Sequence, residues 1–277
     1  MPELISSAAN PLVKRIRALA DRKHRRREGA FLVEGVQPVW QAVEAGADIE
    51  VLVVAEGLLG GGAAARMVME REFAGVKVAR VTSELFARLS DRDGPSGLAA
   101  IVRARPAGLA ALRVAPHSVF AALHEVGNPG NLGTIIRTAN AAGADGVILL
   151  GDTTDPFDPA AVKASMGALF TTPVARAPGV DGLFAWARDS GVSVVTTSGS
   201  AGQAYWDAEF PLPLVFLLGP EGPGLPAGVL SLGDRQVRIP MEGTAESLNL
   251  AVAASLLLYE AKRRRQAPDE RMRPRDR

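Results

Sequence analysis

The amino-acid sequence predicts an α/β protein, with a small N-terminal α/β domain followed by a larger one built on a mostly parallel sheet. Three observations lead there. Strand-like apolar runs alternate with runs of helical spacing along the chain. Arg103–Pro116 interrupts that alternation with two prolines and no clear partner strand. Beyond it, strand runs are separated in most cases by helical stretches, the pattern of a parallel sheet covered by helices on both faces. Ligands of such sheets bind beyond the carboxyl ends of the strands.

Each element has its own signal. Asn10-Pro11 reads as an N-cap followed by proline at the first helical position, and Leu12, Val13, Ile16, Leu19 and Ala20 recur at helical spacing. That helix is expected to run out into Asp21–Arg27. A short strand at Ala30–Val33 ends in Glu34-Gly35, and a helix follows over Val36–Ala45. Further strands are expected at Ile49–Val54, Val76–Val81 and Leu98–Val102, with helices at Ala63–Phe73 and Ser83–Leu89 between them. After the break, strands are expected at Val119–Leu123, Gly146–Leu150, Val192–Thr196, Leu214–Leu218 and Gln236–Ile239. The domain boundaries that follow are 1–105, a linker over 106–117, a second domain over 118–265 and a basic tail over 266–277.

A chain of 277 residues, 47% hydrophobic and 22% charged, is an ordinary globular composition with room for two cores. The absence of cysteine excludes disulfides, thiolate-held metals and a thiol nucleophile. Three scattered histidines, at 24, 117 and 124, make no metal site, so no metal is expected. Met1–Asn10 lacks the charge and apolar run of a secretory signal, and the apolar stretch Ser247–Tyr259 is too short to span a bilayer. A cytoplasmic protein with no membrane partner is expected.

The net charge of +1 conceals a partition: residues 1–35 carry eight Lys/Arg against four Asp/Glu, and residues 262–277 carry eight against three. Both clusters are rich in arginine, whose guanidinium fork suits phosphate. Lys23, Arg25, Arg26 and Arg27 are the N-terminal candidates for phosphate contact, and Arg263, Arg264 and Arg265 form the C-terminal run. A solvated helix face explains either cluster equally simply.

Three polar turns carry the chemistry. The first, Glu125–Arg137, leaves a strand and opens a helix, with glycines at 127, 130 and 133 that allow a sharp turn and a close approach, and with Arg137 one helical turn beyond Gly133. The second, Leu217–Leu225, packs three glycines and two prolines around a single carboxylate, Glu221, a loop able to wrap a flat ligand. The third runs from Pro240 to Ser255 and places Ser247 and Asn249 at the mouth of an apolar, alanine-rich helix, where Ser247 could act simply as its cap. Each turn alone is also compatible with a plain structural connection.

Together they resemble the three signature motifs of the SpoU/TrmH family of RNA ribose methyltransferases: Asn-x-Gly-x-x-x-Arg, Gly-x-Glu-Gly-x-Gly-Leu and Ile-Pro-Met-x-Gly-x-x-x-Ser-Leu-Asn, in order and each after a strand. The stretch Lys23–Gly35 is similar to that family's RNA-substrate-binding domain, a small fold like a ribosomal protein. The resemblance implies a deep trefoil knot of the SPOUT kind in the C-terminal domain, a rare exception to the rule that chains do not thread loops. It implies S-adenosylmethionine as cofactor, held at Leu218, Gly219, Ile239, Met241, Ser247 and Leu248, and methyl transfer to a ribose 2′-hydroxyl of RNA, with ribosomal RNA favoured over transfer RNA. The functional residues carried over are Asn131, Arg137, Glu221, Ser247 and Asn249. In the family the arginine corresponding to Arg137 is proposed as the base; a guanidinium that keeps its proton is better suited to gripping phosphate and ribose. A homodimer through the knotted domain, with the helix Leu248–Tyr259 contributing, is also implied. Pro220, where many members have Asn, and Leu250-Ala251 depart from the family pattern.

Two other readings compete. A dinucleotide-binding turn at 127–133 lacks the leading glycine of its fingerprint in either register. A non-catalytic RNA-binding module of the same fold would be expected to have lost some of the five motif residues.

Overall fold

The computed structural model describes residues 4–60, 62–90 and 94–266, so the expected basic tail lies outside the described residues beyond Gln266. Two compact units result. The first comprises the chain through Pro106 together with Pro129–Arg137 and Thr154–Thr171, and the second comprises Ala107–Asn128, Thr138–Thr153 and the chain from Thr172.

The first unit holds a sheet of β1 (Ala30–Glu34), β2 (Ile49–Val54), β3 (Lys77–Arg80) and β4 (Leu98–Arg103) in the order β1-β4-β2-β3. The β1/β4 and β4/β2 pairs are antiparallel, and β2/β3 is parallel. Alternate residues of these strands supply two separate cores, one on each face, as the two-residue period of a strand requires. Val51, Val53, Ala99 and Ile101 meet Val13, Ile16 and Leu19 on one side. Leu52, Val54, Leu98 and Ala100 meet Val39, Met67 and Val68 on the other.

The first helix starts as expected: Asn10 Oδ1 accepts the Leu12 N–H at 2.9 Å and Pro11 opens the helix Pro11–Ala18. It does not run on through the basic cluster. Asp21 starts a second helix, Arg22–Glu28, by accepting the N–H groups of Lys23 and His24, and Gly29 ends it in the left-handed region at φ 61°.

Two segments from beyond the expected linker complete this unit. Phe157 and Phe170 pack against Phe31, with ring centroids 4.7 and 6.2 Å apart. Gly133, on the helix Pro129–Ala142, presses against the helix Pro159–Ser165: a Cβ there would lie 2.3 Å from the Ala161 carbonyl oxygen. Chain order and contact order therefore differ, since two segments from beyond 106–117 pack with the chain that precedes it. The stretch 106–117 is not a bare linker. Ala107–Gly108 forms an edge strand and Leu109–Ala111 a single 3₁₀ turn.

The second unit is built on eight strands: β5 (Ala107–Gly108), β6 (Val119–His124), β7 (Gly146–Leu150), β8 (Val174–Arg176), β9 (Ser193–Thr197), β10 (Gln203–Ala204), β11 (Leu214–Leu218) and β12 (Arg235–Arg238). Their order is β10-β12-β9-β11-β6-β7-β8-β5, and every pairing is parallel. All residues of β7 and β11 are buried, as strands covered on both faces must be.

The helix Leu250–Gln266 ends in the C-terminal arginine run, of which Arg263 is exposed while Arg264 and Arg265 are partly buried and turned onto the protein's own carbonyls. Arg264 donates to the carbonyls of Ala208 and Trp206 and lies 4.5 Å over the Phe210 ring; Arg265 Nη2 donates to the carbonyls of Ala142 and Gly143 at 3.2 and 2.9 Å. Glu260 accepts from both Arg263 and Arg264, and these bonds hold its carboxyl below the ordinary value of 4.5. A depressed carboxylate stabilises the fold fully above its unfolded value and loses that contribution as pH falls through the folded one. Glu260→Gln is expected to lower Tm by about 2–4 °C at pH 7. The gap from wild type should close as pH falls through the lowered value of the folded state, where wild type becomes protonated as well; a gap that persists in thermal melts at strongly acid pH would contradict this.

Candidate active site

The second and third turns meet at the carboxyl ends of the parallel strands. β11 leads through buried Leu218 into Gly219, where the chain doubles back. A Cβ on Gly219 would sit 2.4 Å from the Leu225 nitrogen and 2.5 Å from the Gly224 carbonyl carbon, so only glycine lets this loop close on its own backbone. Gly222 and Gly224 take left-handed φ values of 94° and 68°, and Glu221 stands exposed on the loop.

β12 leads through Ile239 into an exposed segment without regular structure up to Asn249. There the bland role read for Ser247 belongs to Asn249, whose Oδ1 accepts the Ala251 N–H at 2.9 Å and starts the helix Leu250–Gln266. Asn249 is exposed rather than buried, so its side chain has no buried polar debt to settle.

Between these loops lies a cavity of about 540 Å³, within the range of small-molecule sites. Leu218, Gly219, Ile239, Met241, Ser247 and Leu248 all line it, as do Glu221 and Asn249. Thr197, Ser198 and Gly199, at the end of β9, form a further wall that the motif reading missed. The run Ser198-Gly-Ser200 directly after a strand ending in two threonines carried that signal, as a polar turn at the ligand end of the sheet.

Among the lining residues the ionisable groups are Glu221 and Glu246; no lysine, arginine or histidine faces the cavity. Carboxylates among Leu218, Val237, Ile239 and Leu257 suit a flat ligand that carries positive charge and disfavour a pyrophosphate. S-adenosylmethionine, with an adenine and a sulfonium, fits this chemistry; a nicotinamide dinucleotide does not.

A methyl on Gly219 should collapse the loop that forms this wall. Gly219→Ala is expected to weaken S-adenosylmethionine binding by about two orders of magnitude or more, at roughly 1.4 kcal/mol per factor of ten. Titration calorimetry giving wild-type affinity would show that the close backbone approach is dispensable.

The other expected residues belong to the first unit. Asn131 is half-buried and Arg137 exposed on the helix Pro129–Ala142. The tight approach permitted by Gly133 is to another helix, not to a ligand. At the start of this turn Glu125 adopts φ 52°, an uncommon conformation for a non-glycine residue.

Lys23, Arg26 and Arg27 are exposed, as a phosphate-binding surface needs, but Arg25 is not. It is 3% exposed, and its guanidinium donates to Asp155 Oδ2 at 2.9 Å, Asp158 Oδ2 at 3.1 Å and the carbonyls of Leu19 and Ala20 at 3.1 and 2.7 Å. Its expected contact with RNA is therefore corrected, because every arm of the fork is occupied inside the protein. Among the described residues no cluster of three potential metal ligands occurs, and no helix is long and apolar enough to cross a membrane.

Comparison with known proteins agrees with this geometry. Residues 118–259 match the SpoU rRNA Methylase family, and residues 10–100 match an MRM3-like substrate binding domain. A 23S rRNA (guanosine(2553)-2'-O)-methyltransferase of Bacillus subtilis is 33% identical over 92% of this chain and 97% of its own. A 23S rRNA (uridine(2479)-2'-O)-methyltransferase of Streptomyces viridochromogenes is 33% identical over 89% of this chain and 87% of its own. An AdoMet-bound rRNA methyltransferase from Sinorhizobium meliloti superimposes with a TM-score of 0.87 at 37% identity, over 96% of this chain and 99% of that one. With more than half of its length matched by the family model and its whole architecture shared with such enzymes, the chain belongs to the SpoU rRNA methylase family.

Proposed function

We propose that the protein transfers a methyl group from S-adenosylmethionine to a ribose 2′-hydroxyl of ribosomal RNA. The observation that carries this is the cavity at the ends of β9, β11 and β12, lined by the second and third motifs with carboxylates and no cation. The relatives' action on 23S rRNA supports ribosomal over transfer RNA.

In this reading the cofactor, when bound, supplies a methyl on a sulfonium. Leu218, Gly219, Ile239, Met241 and Leu248 hold it through the loop backbone and apolar contact, and Ser247 closes the mouth. Arg137 grips the target phosphate and ribose, and Asn131, Glu221 and Asn249 orient that assembly so that oxygen, methyl and sulfur align. Lys23, Arg26 and Arg27 supply phosphate contacts that position the RNA without reading its sequence. The methyltransferase domain spans 118–265 and is a deep trefoil knot, the substrate-binding domain spans 1–105, and two copies pair through the knotted domain in the cytoplasm. Nothing favours a non-catalytic role, since all five motif residues are present.

The test is incubation of the purified protein with methyl-labelled S-adenosylmethionine and either total ribosomal RNA or total transfer RNA, followed by mapping of 2′-O-methyl sites. Label at one ribose of ribosomal RNA is expected. Label confined to transfer RNA, or to a base, would overturn the reading.

A further inference from the structure

A second cavity, of about 500 Å³, lies wholly within the first unit and has no part in the site described above. Its floor is apolar: Ile16 and Val162 are buried, and Leu32 and Leu89 are partly buried. Three cationic side chains stand on its rim, Arg17, Arg88 and Lys163, each on an exposed residue.

Two carboxylates are also present, and their positions differ in kind. Asp158 is committed: one oxygen accepts from Arg25 at 3.1 Å and the other from the Ala160 N–H at 3.0 Å. Glu34 accepts a hydrogen bond from the Ser90 hydroxyl and belongs to the lining. A carboxylate oxygen has more than one lone pair, so this group can take further donors.

From this arrangement we infer that the cavity binds one unstacked nucleotide of the RNA substrate, base on the apolar floor and flanking phosphates on Arg17, Arg88 and Lys163. It rests on the reading of the protein as an RNA methyltransferase. Single-stranded RNA is recognised by splayed-out bases laid on apolar or aromatic surface and hydrogen-bonded at their edges. The volume admits a nucleoside, and the rim is complementary to phosphate. Glu34, an acceptor only, selects a base that presents donors. Guanine, with adjacent imino and amino N–H groups, satisfies a carboxylate at two points, whereas uracil offers one donor between two carbonyl oxygens. An acidic peptide would match the cations but has no flat apolar body for the floor.

The experiment uses the full chain and fluorescein-labelled ten-residue oligouridylates, with and without one central guanosine, in binding titrations at several salt concentrations. Wild type should prefer the guanosine-containing oligomer by about tenfold, the scale of one good two-point base contact. Glu34→Gln should bring that preference close to unity. Arg17→Ala with Arg88→Ala should weaken both oligomers and reduce the salt slope by about two. Ala160→Trp, which places bulk at the rim from an exposed position, should weaken the guanosine-containing oligomer to the level of the plain one.

A far-UV circular dichroism spectrum and a denaturant unfolding transition like those of wild type, required of every variant, show that the first unit is folded. If wild type binds RNA but the variants match it, the cavity is not a nucleotide subsite and the methyltransferase reading stands. Absence of RNA binding by wild type overturns both. Competition by polyglutamate as strong as by RNA would make the surface a protein-docking site. Saturation by guanosine monophosphate at the oligomer's affinity would make it a free-nucleotide site. Either result overturns the inference.

Discussion

Arg137→Ala is expected to lower the rate of methyl transfer by at least about 10³, the scale seen when a positioned transition-state group is removed, while leaving S-adenosylmethionine affinity within about twofold of wild type. The two halves of this expectation have separate grounds. The cavity that fits the cofactor is lined by the second unit alone, and Arg137 belongs to the first. The proposed role of Arg137 is to hold a phosphate and the reacting ribose, which acts on the substrate and on the geometry of attack. A guanidinium keeps its proton under ordinary conditions, so the loss should be one of grip rather than of a base. Arg137→Lys separates these possibilities: it keeps the charge and a removable proton but not the fork, and should recover only part of the rate. Single-turnover transfer of labelled methyl groups is the measurement. Near-normal turnover in Arg137→Ala would remove it from both roles, and full recovery in Arg137→Lys would point to charge rather than two-point geometry.

How much was legible in the sequence depended on whether the cause of a feature was local. Strands Gly146–Leu150 and Leu214–Leu218 were read to the residue, because strands buried on both faces show up as continuous apolar runs, and Ile49–Val54 was read to the residue despite Glu50. The strands at Ala107–Gly108, Val174–Arg176 and Gln203–Ala204 went unread, since two or three residues carry no periodicity and become strands only by pairing with a neighbour. Caps were mixed. Asn10 was legible beside Pro11, but at the third turn Ser247 was read as the possible cap, and only the backbone path decides that Asn249 starts the helix.

The same division holds for the candidate site. Its second and third motifs were legible as polar turns after strands, and the cavity gathers their residues. The contribution of Thr197–Gly199 depends on β9 lying between β11 and β12, a strand order that no local pattern encodes. Gly133 was read as allowing a close approach without a partner being legible, and that partner is a helix about thirty residues on in the chain. Arg25 is the sharpest case. Within Arg25-Arg26-Arg27 nothing local marks which side chain turns inward, because its acidic partners lie 130 and 133 residues away.

That inward turn makes Arg25 the position where stability and RNA binding should separate. Arg25→Ala leaves Asp155 and Asp158 without their cation and the Leu19 and Ala20 carbonyls without a donor. Removing one member of a buried ion pair typically costs about 3–5 kcal/mol, since the remaining charge stays desolvated. Asp158 retains some contact with solvent and Asp155 also accepts the Phe157 N–H, so the loss should fall toward the lower end of that range. Arg25→Met combined with Asp155→Asn should recover part of it, because an apolar stem beside a neutral acceptor leaves no unpaired charge at that position. Arg26→Ala with Arg27→Ala should behave in the opposite way, with a surface-sized change in stability and a weaker, less salt-sensitive grip on RNA. Denaturant unfolding and RNA titration on the same three proteins decide the matter. If Arg25→Ala unfolds like wild type but loses RNA affinity, the arginine works at the surface after all, and its enclosure between Asp155 and Asp158 is not what holds this part of the protein together.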